Sequence, residues 1–155
     1  MKVLVVYDTV STSKMTGQVA ETITETLKED GVDVDSFHVK DVDVATVKNY
    51  GCLIAGAPTM AFRPSMGIRK FLNGLADGGF SGKRAAAFDT QVQMIISGNA
   101  TKGIQKKLKN LGFTLFKQPL VVYVKSKAKN VWQFKPGELE KAKTWAQEAA
   151  KTLSE

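Results

Sequence analysis

Lys2-Val3-Leu4-Val5-Val6-Tyr7-Asp8-Thr9-Val10-Ser11-Thr12-Ser13-Lys14-Met15-Thr16 is the stretch that decides the fold. Residues 2 to 7 form a continuous, largely β-branched apolar run, as a parallel strand covered on both faces requires. The run stops at Asp8, and a polar stretch leads to Thr16, which is placed to cap a helix. Beyond it Val19, Ile23 and Leu27 recur at helical spacing. Gly31 then stands where a left-handed residue would close that helix. Strand, polar loop and amphipathic helix make the first half of a βαβ unit.

The same rhythm repeats outward from this segment. Val32 to Val39 alternates apolar and polar residues and reads as an edge strand, and Gly51 to Ala57 is another wholly apolar run. After Pro58-Thr59 a helix places Ile68, Phe71, Leu72 and Leu75 on one face. Arg84 to Phe88 is a short strand ended by Asp89-Thr90, and a loop leads to a lysine-rich helix that stops near Gly112. Pro119 to Val124 is the fifth strand. Pro136-Gly137-Glu138 begins a last helix with Leu139, Ala142, Ala146, Ala149 and Leu153 as its buried stripe. Five strands alternating with helices predict an α/β fold, a mostly parallel sheet with helices on both faces, as one domain over residues 1–155.

Composition narrows the function classes. The 155 residues are 43% hydrophobic and 24% charged, which is ordinary globular usage. The apolar runs fall short of a membrane span, the first residues lack a signal-peptide pattern, and Cys52 has no second cysteine to pair with. A cytoplasmic protein without a membrane partner is therefore expected. The net charge of +7 is uneven: residues 1 to 100 carry 10 basic and 11 acidic groups, and residues 101 to 155 carry 12 basic and 4 acidic. Lys102, Lys106 and Lys109 project opposite Ile104, Leu108 and Leu111, which is the pattern of a solvated helix face. Stacking aromatics are not interleaved with these lysines, so nucleic acid is not the expected partner.

Open α/β sheets bind ligands beyond the carboxyl ends of their strands, which directs attention to 8 to 16, 58 to 65, 89 to 99 and 125 to 135. Segment 8 to 16 holds five hydroxyl side chains and the Lys14 ammonium between a strand and a helix N-terminus. Exposed amides, a helix dipole and hydroxyl donors are the chemistry of an oxyanion cradle; a polar turn with Thr16 as a plain helix cap is the simpler reading of the same residues. Neither G-x-x-x-x-G-K-[ST] nor a G-x-G-x-x-G after the first strand is present, which argues against a triphosphatase loop and a dinucleotide fingerprint. A phosphoacceptor receiver domain would need an aspartate after the third strand, where this chain has Ala57-Pro58. Cys52 reads as a small buried hydrophobe, His38 as a surface histidine, and Trp132 and Phe134 as an apolar plug for the last helix.

Val5-Val6-Tyr7-Asp8-Thr9, Gly56-Ala57-Pro58-Thr59, Phe71-Leu72, Phe88-Asp89-Thr90, Ser97-Gly98-Asn99-Ala100, Leu111-Gly112-Phe113 and Gly137-Glu138-Leu139-Glu140, in that order and spacing, resemble the short-chain flavodoxins and a related group of small prokaryotic flavodoxin-like proteins. The resemblance spans nearly the whole chain. It implies a flavodoxin-like three-layer sandwich with five parallel strands in the order 2-1-3-4-5. It also implies flavin mononucleotide (FMN), with its phosphate wrapped by Thr9, Val10, Ser11, Thr12, Ser13, Lys14 and Thr16. Pro58, Thr59, Met60, Ala61, Phe62 and Arg63 would border the isoalloxazine ring, with Met60 and Phe62 lying against it, and Asp89, Thr90 and Gln91 would complete the site. Arg63 is equally placed to favour an anionic reduced ring or to form a surface turn with Pro64.

The chain departs from the family pattern in three ways. Its phosphate loop is longer and lacks the Thr-Gly-Asn-Thr core. Segments 58–65 and 89–99 contain neither Trp nor Tyr, and 59–63 lacks the glycine that in flavodoxins helps stabilise the one-electron-reduced flavin. The function implied is electron transfer between redox partners. Two alternatives stand beside it: a small FMN-dependent oxidoreductase acting on a quinone or a porphyrin-like substrate, and a flavin-free binding module using the basic C-terminal third. Flavodoxins are typically acidic, whereas this chain has a pI near 9.5, so the partner is expected to be an acidic ferredoxin- or reductase-like protein.

Overall fold

A computed structural model describes residues 1–9, 14–60, 63–75, 79–93 and 99–155. The apolar run becomes strand β1 (Lys2–Tyr7), and helix α1 (Met15–Glu29) and strand β2 (Asp33–His38) follow. A 3-10 turn over Val44–Asn49 precedes β3 (Cys52–Met60), a short β4 (Arg63–Pro64) and α2 (Met66–Asn73). Then come β5 (Arg84–Val92), α3 (Ala100–Asn110), β6 (Thr114–Leu115), β7 (Leu120–Ala128), β8 (Val131–Phe134) and α4 (Glu138–Ser154).

The sheet runs β2-β1-β3-β5-β7-β8, whose first five members are the expected 2-1-3-4-5 order, all parallel. It differs from the expectation in its additions. β8 returns antiparallel along the end of β7, β4 pairs antiparallel with the end of β3, and β6 pairs with the start of β5.

Strand alternation divides the core between two faces. Val3, Val5, Ile54, Ala86, Phe88, Leu120 and Val122 meet α1 and α4 through Val19, Ile23, Leu27, Ala142, Trp145 and Ala149. Leu4, Val6, Leu53, Ala55, Ala85 and Ala87 meet α2 and α3 through Ile68, Phe71, Leu72, Ile104, Leu108 and Leu111. β1 is apolar from Val3 to Val6, where both of its faces lie under helices. Gly31 and Gly112 take the left-handed conformation expected of helix-closing residues, with φ of 83° and 105°. In the fourth helix, Leu139 is exposed and Trp145 takes a place in the buried stripe. Pro136 lies outside that helix, whose N-cap is Gly137.

Gly56 is the tightest point of the sheet. It stands opposite Phe88 on the neighbouring strand, and a Cβ built on it would fall inside the fully buried Phe88 ring. Only the absence of a side chain lets that ring cross β3.

Candidate functional site

The carboxyl ends of β1, β3, β5 and β7 open into a cleft of about 400 Å³, within the usual range for small-molecule sites. Thr9, Thr16, Pro58, Thr59, Met60, Thr90 and Gln91 line it, so seven of the expected site residues converge there. Met15, Val92, Val124, Asn130 and Trp132 complete its wall. These five were not among the expected ligand residues. Trp132 in particular is not only a plug for the last helix, since the antiparallel β8 carries it back to the mouth of the cleft, whereas Phe134 packs on the core beneath α4. The aromatic missing from 58–65 and 89–99 thus comes from the far end of the sequence.

Other expected residues lie elsewhere. Lys14 is exposed and does not line the cleft; it is the N-cap of α1, in a left-handed conformation with φ 51° and no side-chain cap bond. Thr16 is consequently not the cap. It is buried in the first turn, where its hydroxyl meets that of Thr90 at 2.8 Å and ties α1 to β5. Arg63 is exposed and pairs through its backbone with Met60. Val10, Ser11, Thr12, Ser13, Ala61 and Phe62 lie outside the described residues.

Asp89 and Thr90 do not end a strand; they lie within β5, which runs on to Val92. Asp89 is fully buried beneath the cleft, and its Oδ2 accepts hydrogen bonds from Thr59 Oγ1 at 3.0 Å and Gln91 Nε2 at 2.7 Å. Thr59 Oγ1 in turn accepts from the Ala100 amide at the start of α3. Among the described residues Asp89 Oδ1 has no hydrogen-bond partner. Burial pushes the carboxyl up to about 6, against Thr59, Gln91 and the nearby Ala100 and Val122 amides, which favour its charged form. Asp89 therefore orients two cleft-lining side chains from below.

A second carboxylate fixes the end of β1. Asp8 Oδ2 accepts from Ser65 Oγ at 2.5 Å, and Oδ1 accepts from the Thr9 amide at 2.9 Å and faces His38 Nε2 at 3.5 Å. The Lys40 amide donates to His38 Nδ1, which leaves a neutral ring's proton on Nε2, toward Asp8. His38 is thus more than a surface histidine: the parallel pairing of Tyr7 with His38 brings it beside Asp8. Serine and histidine both address the carboxylate, and neither activates the other, so this is a tether rather than a nucleophile relay. Cys52 is buried, and burial pushes its thiol up to about 12, as befits a small hydrophobe.

The N-terminus of α1 opens on the cleft with no carboxylate in its first turn to offset it. α1, α2 and α3 carry no acidic residue in their first turns, and α1 has no side-chain cap. The first amide bonded within α1 is that of Gln18, to the Lys14 carbonyl. The amides before it are without intrahelical acceptors by helix geometry, beside Thr9 and Thr16. This donor set suits a phosphate, and the apolar wall of Met60, Val92, Val124 and Trp132 suits a planar ring. The described residues contain no group of His, Cys, Asp or Glu fit to hold a metal ion, and no helix long and apolar enough to cross a membrane.

The family model described as Flavodoxin matches residues 5–143. The chain belongs to the flavodoxin family. It is therefore an FMN-binding electron-transfer protein, and FMN is the cofactor that its cleft chemistry fits. Among solved structures, it is similar to a flavodoxin from the domain Archaea, with 23% identity over 100% of both chains and a TM-score of 0.75. Oxidised flavodoxin 1 from Bacillus cereus is 18% identical over 97% of this chain and 98% of that one, with a TM-score of 0.78. The rubredoxin oxygen:oxidoreductase from Desulfovibrio gigas is 25% identical, with a TM-score of 0.78, over 99% of this chain but only 36% of that protein. A comparison with curated proteins found no match.

Proposed function

We propose that this flavodoxin carries electrons between protein partners through FMN seated in the cleft, and that the partner it meets is acidic. The observation that carries the reading is one continuous cleft joining an uncapped helix N-terminus and hydroxyls to an apolar, aromatic-walled slot. In this reading the α1 amides, Thr9, Thr16 and the 10–13 segment hold the phosphate. Met60, Phe62 and Trp132 border the ring, and Thr59 and Gln91 reach its polar edge, oriented by Asp89. Bound FMN supplies reversible one- and two-electron chemistry; the chain binds it, excludes water from one side of it, and surrounds it with positive helix ends. Residues 1–155 act as one such unit. The free, buried Cys52 is consistent with a reducing cytoplasm.

The test is a titration of the protein with FMN and, in parallel, riboflavin, followed by the visible flavin band. FMN is expected to bind about a hundredfold more tightly, because charge-assisted bonds at the phosphate are lost in riboflavin. Trp132 emission should fall on binding, while a Trp132→Phe variant isolates the contribution of buried Trp145. Equal affinities would remove the phosphate cradle, and failure of both ligands to bind would overturn the proposed function.

A further inference from the structure

The lysines of the β7–β8 hairpin are not explained by cofactor binding. Lys125, Lys127 and Lys129 lie on it, all exposed, between cleft-lining Val124 and cleft-lining Asn130 and Trp132. Lys127 is the extra residue of a bulge, since Ser126 pairs with Trp132 and Ala128 with Val131. None of the three forms a salt bridge among the described residues. From 121 to 137 the chain has four lysines and no carboxylate, and the fourth, Lys135, reaches Gln93 on the β5 side at 2.8 Å. Asp8 after β1 and Asp89 within β5, the carboxylates that the described residues place near the cleft, are both buried. Across the sheet the balance reverses: residues 29–43, around β2, hold six carboxylates and one lysine.

We propose that this hairpin is the docking arm for the electron-transfer partner, which presents a carboxylate-rich patch to Lys125, Lys127 and Lys129 and sets its redox centre over the cleft. The inference rests on the electron-carrier reading and names where and how that reading's partner binds. Electron transfer weakens steeply with distance, so a docking charge cluster is useful only beside the cofactor. The hairpin meets that condition, because residues on both sides of its lysines form the cleft wall. Exposed Met60, Val92 and Val131 supply an apolar contact zone inside the charged rim. The opposed charge of the two sheet edges turns the molecule so that the hairpin leads into an acidic partner's field.

The probe is an acidic plant-type [2Fe–2S] ferredoxin, titrated into the isotope-labelled, FMN-loaded protein at low and at high ionic strength. Backbone shifts are expected at 125–132 and at the cleft rim, and should fade as salt rises. Lys125→Glu, Lys127→Glu and Lys129→Glu together should weaken ferredoxin binding at least about tenfold, with FMN affinity unchanged. Reversing Lys102, Lys106 and Lys109 on α3 should leave ferredoxin binding intact. Loss through the α3 variant instead, or full binding by the hairpin variant, would overturn the proposal. So would a single-stranded oligonucleotide that displaces ferredoxin and binds the hairpin more tightly. Should the hairpin variant lose nothing and only self-associate more, its lysines are guards of an exposed sheet edge and the proposal falls. The chain could fail to take up FMN and still show hairpin-dependent ferredoxin binding; then the cofactor reading fails and the docking arm stands.

Discussion

Gly56→Ala is expected to destabilise the protein by about 3 kcal/mol, and Phe88→Leu, made in the same chain, should remove most of that loss. The pair is opposed in the β3–β5 register, and the Phe88 ring occupies the volume that a Gly56 Cβ would take. Neither strand can yield easily, because each is held on both sides by parallel partners. Phe88→Leu alone should cost about 1.5 kcal/mol as a cavity-forming change. The double variant would then lie near the single leucine variant rather than at the sum of the two losses. Denaturant unfolding of the four proteins reads this directly. Strict additivity would mean that the strands part to admit the methyl group without involving the ring.

The second large effect is a change of pH dependence at Asp89. Its carboxyl, buried and pushed up to about 6, keeps a proton in the folded protein at pH values where the unfolded chain, near 3.8, has lost it. Between those values the folded state binds more protons, so this group's contribution to stability falls as pH rises from about 4 to about 6. The difference amounts to about 3 kcal/mol at neutral pH. Asp89→Asn removes the ionisation while keeping an oxygen for Thr59 and Gln91. It is expected to be more stable than the parent at pH 8, by up to that amount, and to lose its advantage near pH 4. Parallel stability profiles for the two proteins from pH 4 to 8 would show that Asp89 titrates normally despite its burial.

Periodicity made the strands of the parallel sheet and both helix layers legible because it reports burial, while the strand order followed from the family resemblance. The Val19, Ile23, Leu27 and Ile104, Leu108, Leu111 stripes are fully or almost fully buried, and β1 is as apolar as its two covered faces require. Strand ends were harder to read for the same reason. Asp89 and Gln91 are polar residues inside β5, tolerated because Asp89 accepts from both Thr59 and Gln91, and the 30-residue gap to Thr59 leaves no local pattern. β8 has only four residues and gains its place by pairing with β7, so Trp132 reads as a local plug until that pairing is known. The helix-cap rule pointed to Thr16, but backbone geometry at Lys14 starts the helix earlier and frees the threonine to bind Thr90.

Much of the cleft was legible from topology alone, because ligand-binding loops follow the carboxyl ends of parallel strands. Thr9, Thr59 and Thr90 needed no more than that. Met15 and Asn130 fall in segments that the topology did point to, 8–16 and 125–135, but as an apolar residue beside the hydroxyls and a residue between two unrecognised strands they were not read as part of the wall.

The Asp8 tether also governs when the site can exist. Its partners His38 and Ser65 stand 30 and 57 residues further along the chain, and Ser65 begins α2. A nascent chain that has completed β1 and α1 can form that local unit, but it cannot anchor the end of β1 until β3 and the start of α2 have arrived. Closing such long loops is an entropic cost met only when the central sheet assembles. The binding end of the first strand is therefore set only once the chain has reached Ser65, and the cleft is complete only when β5, β7 and β8 have joined the sheet.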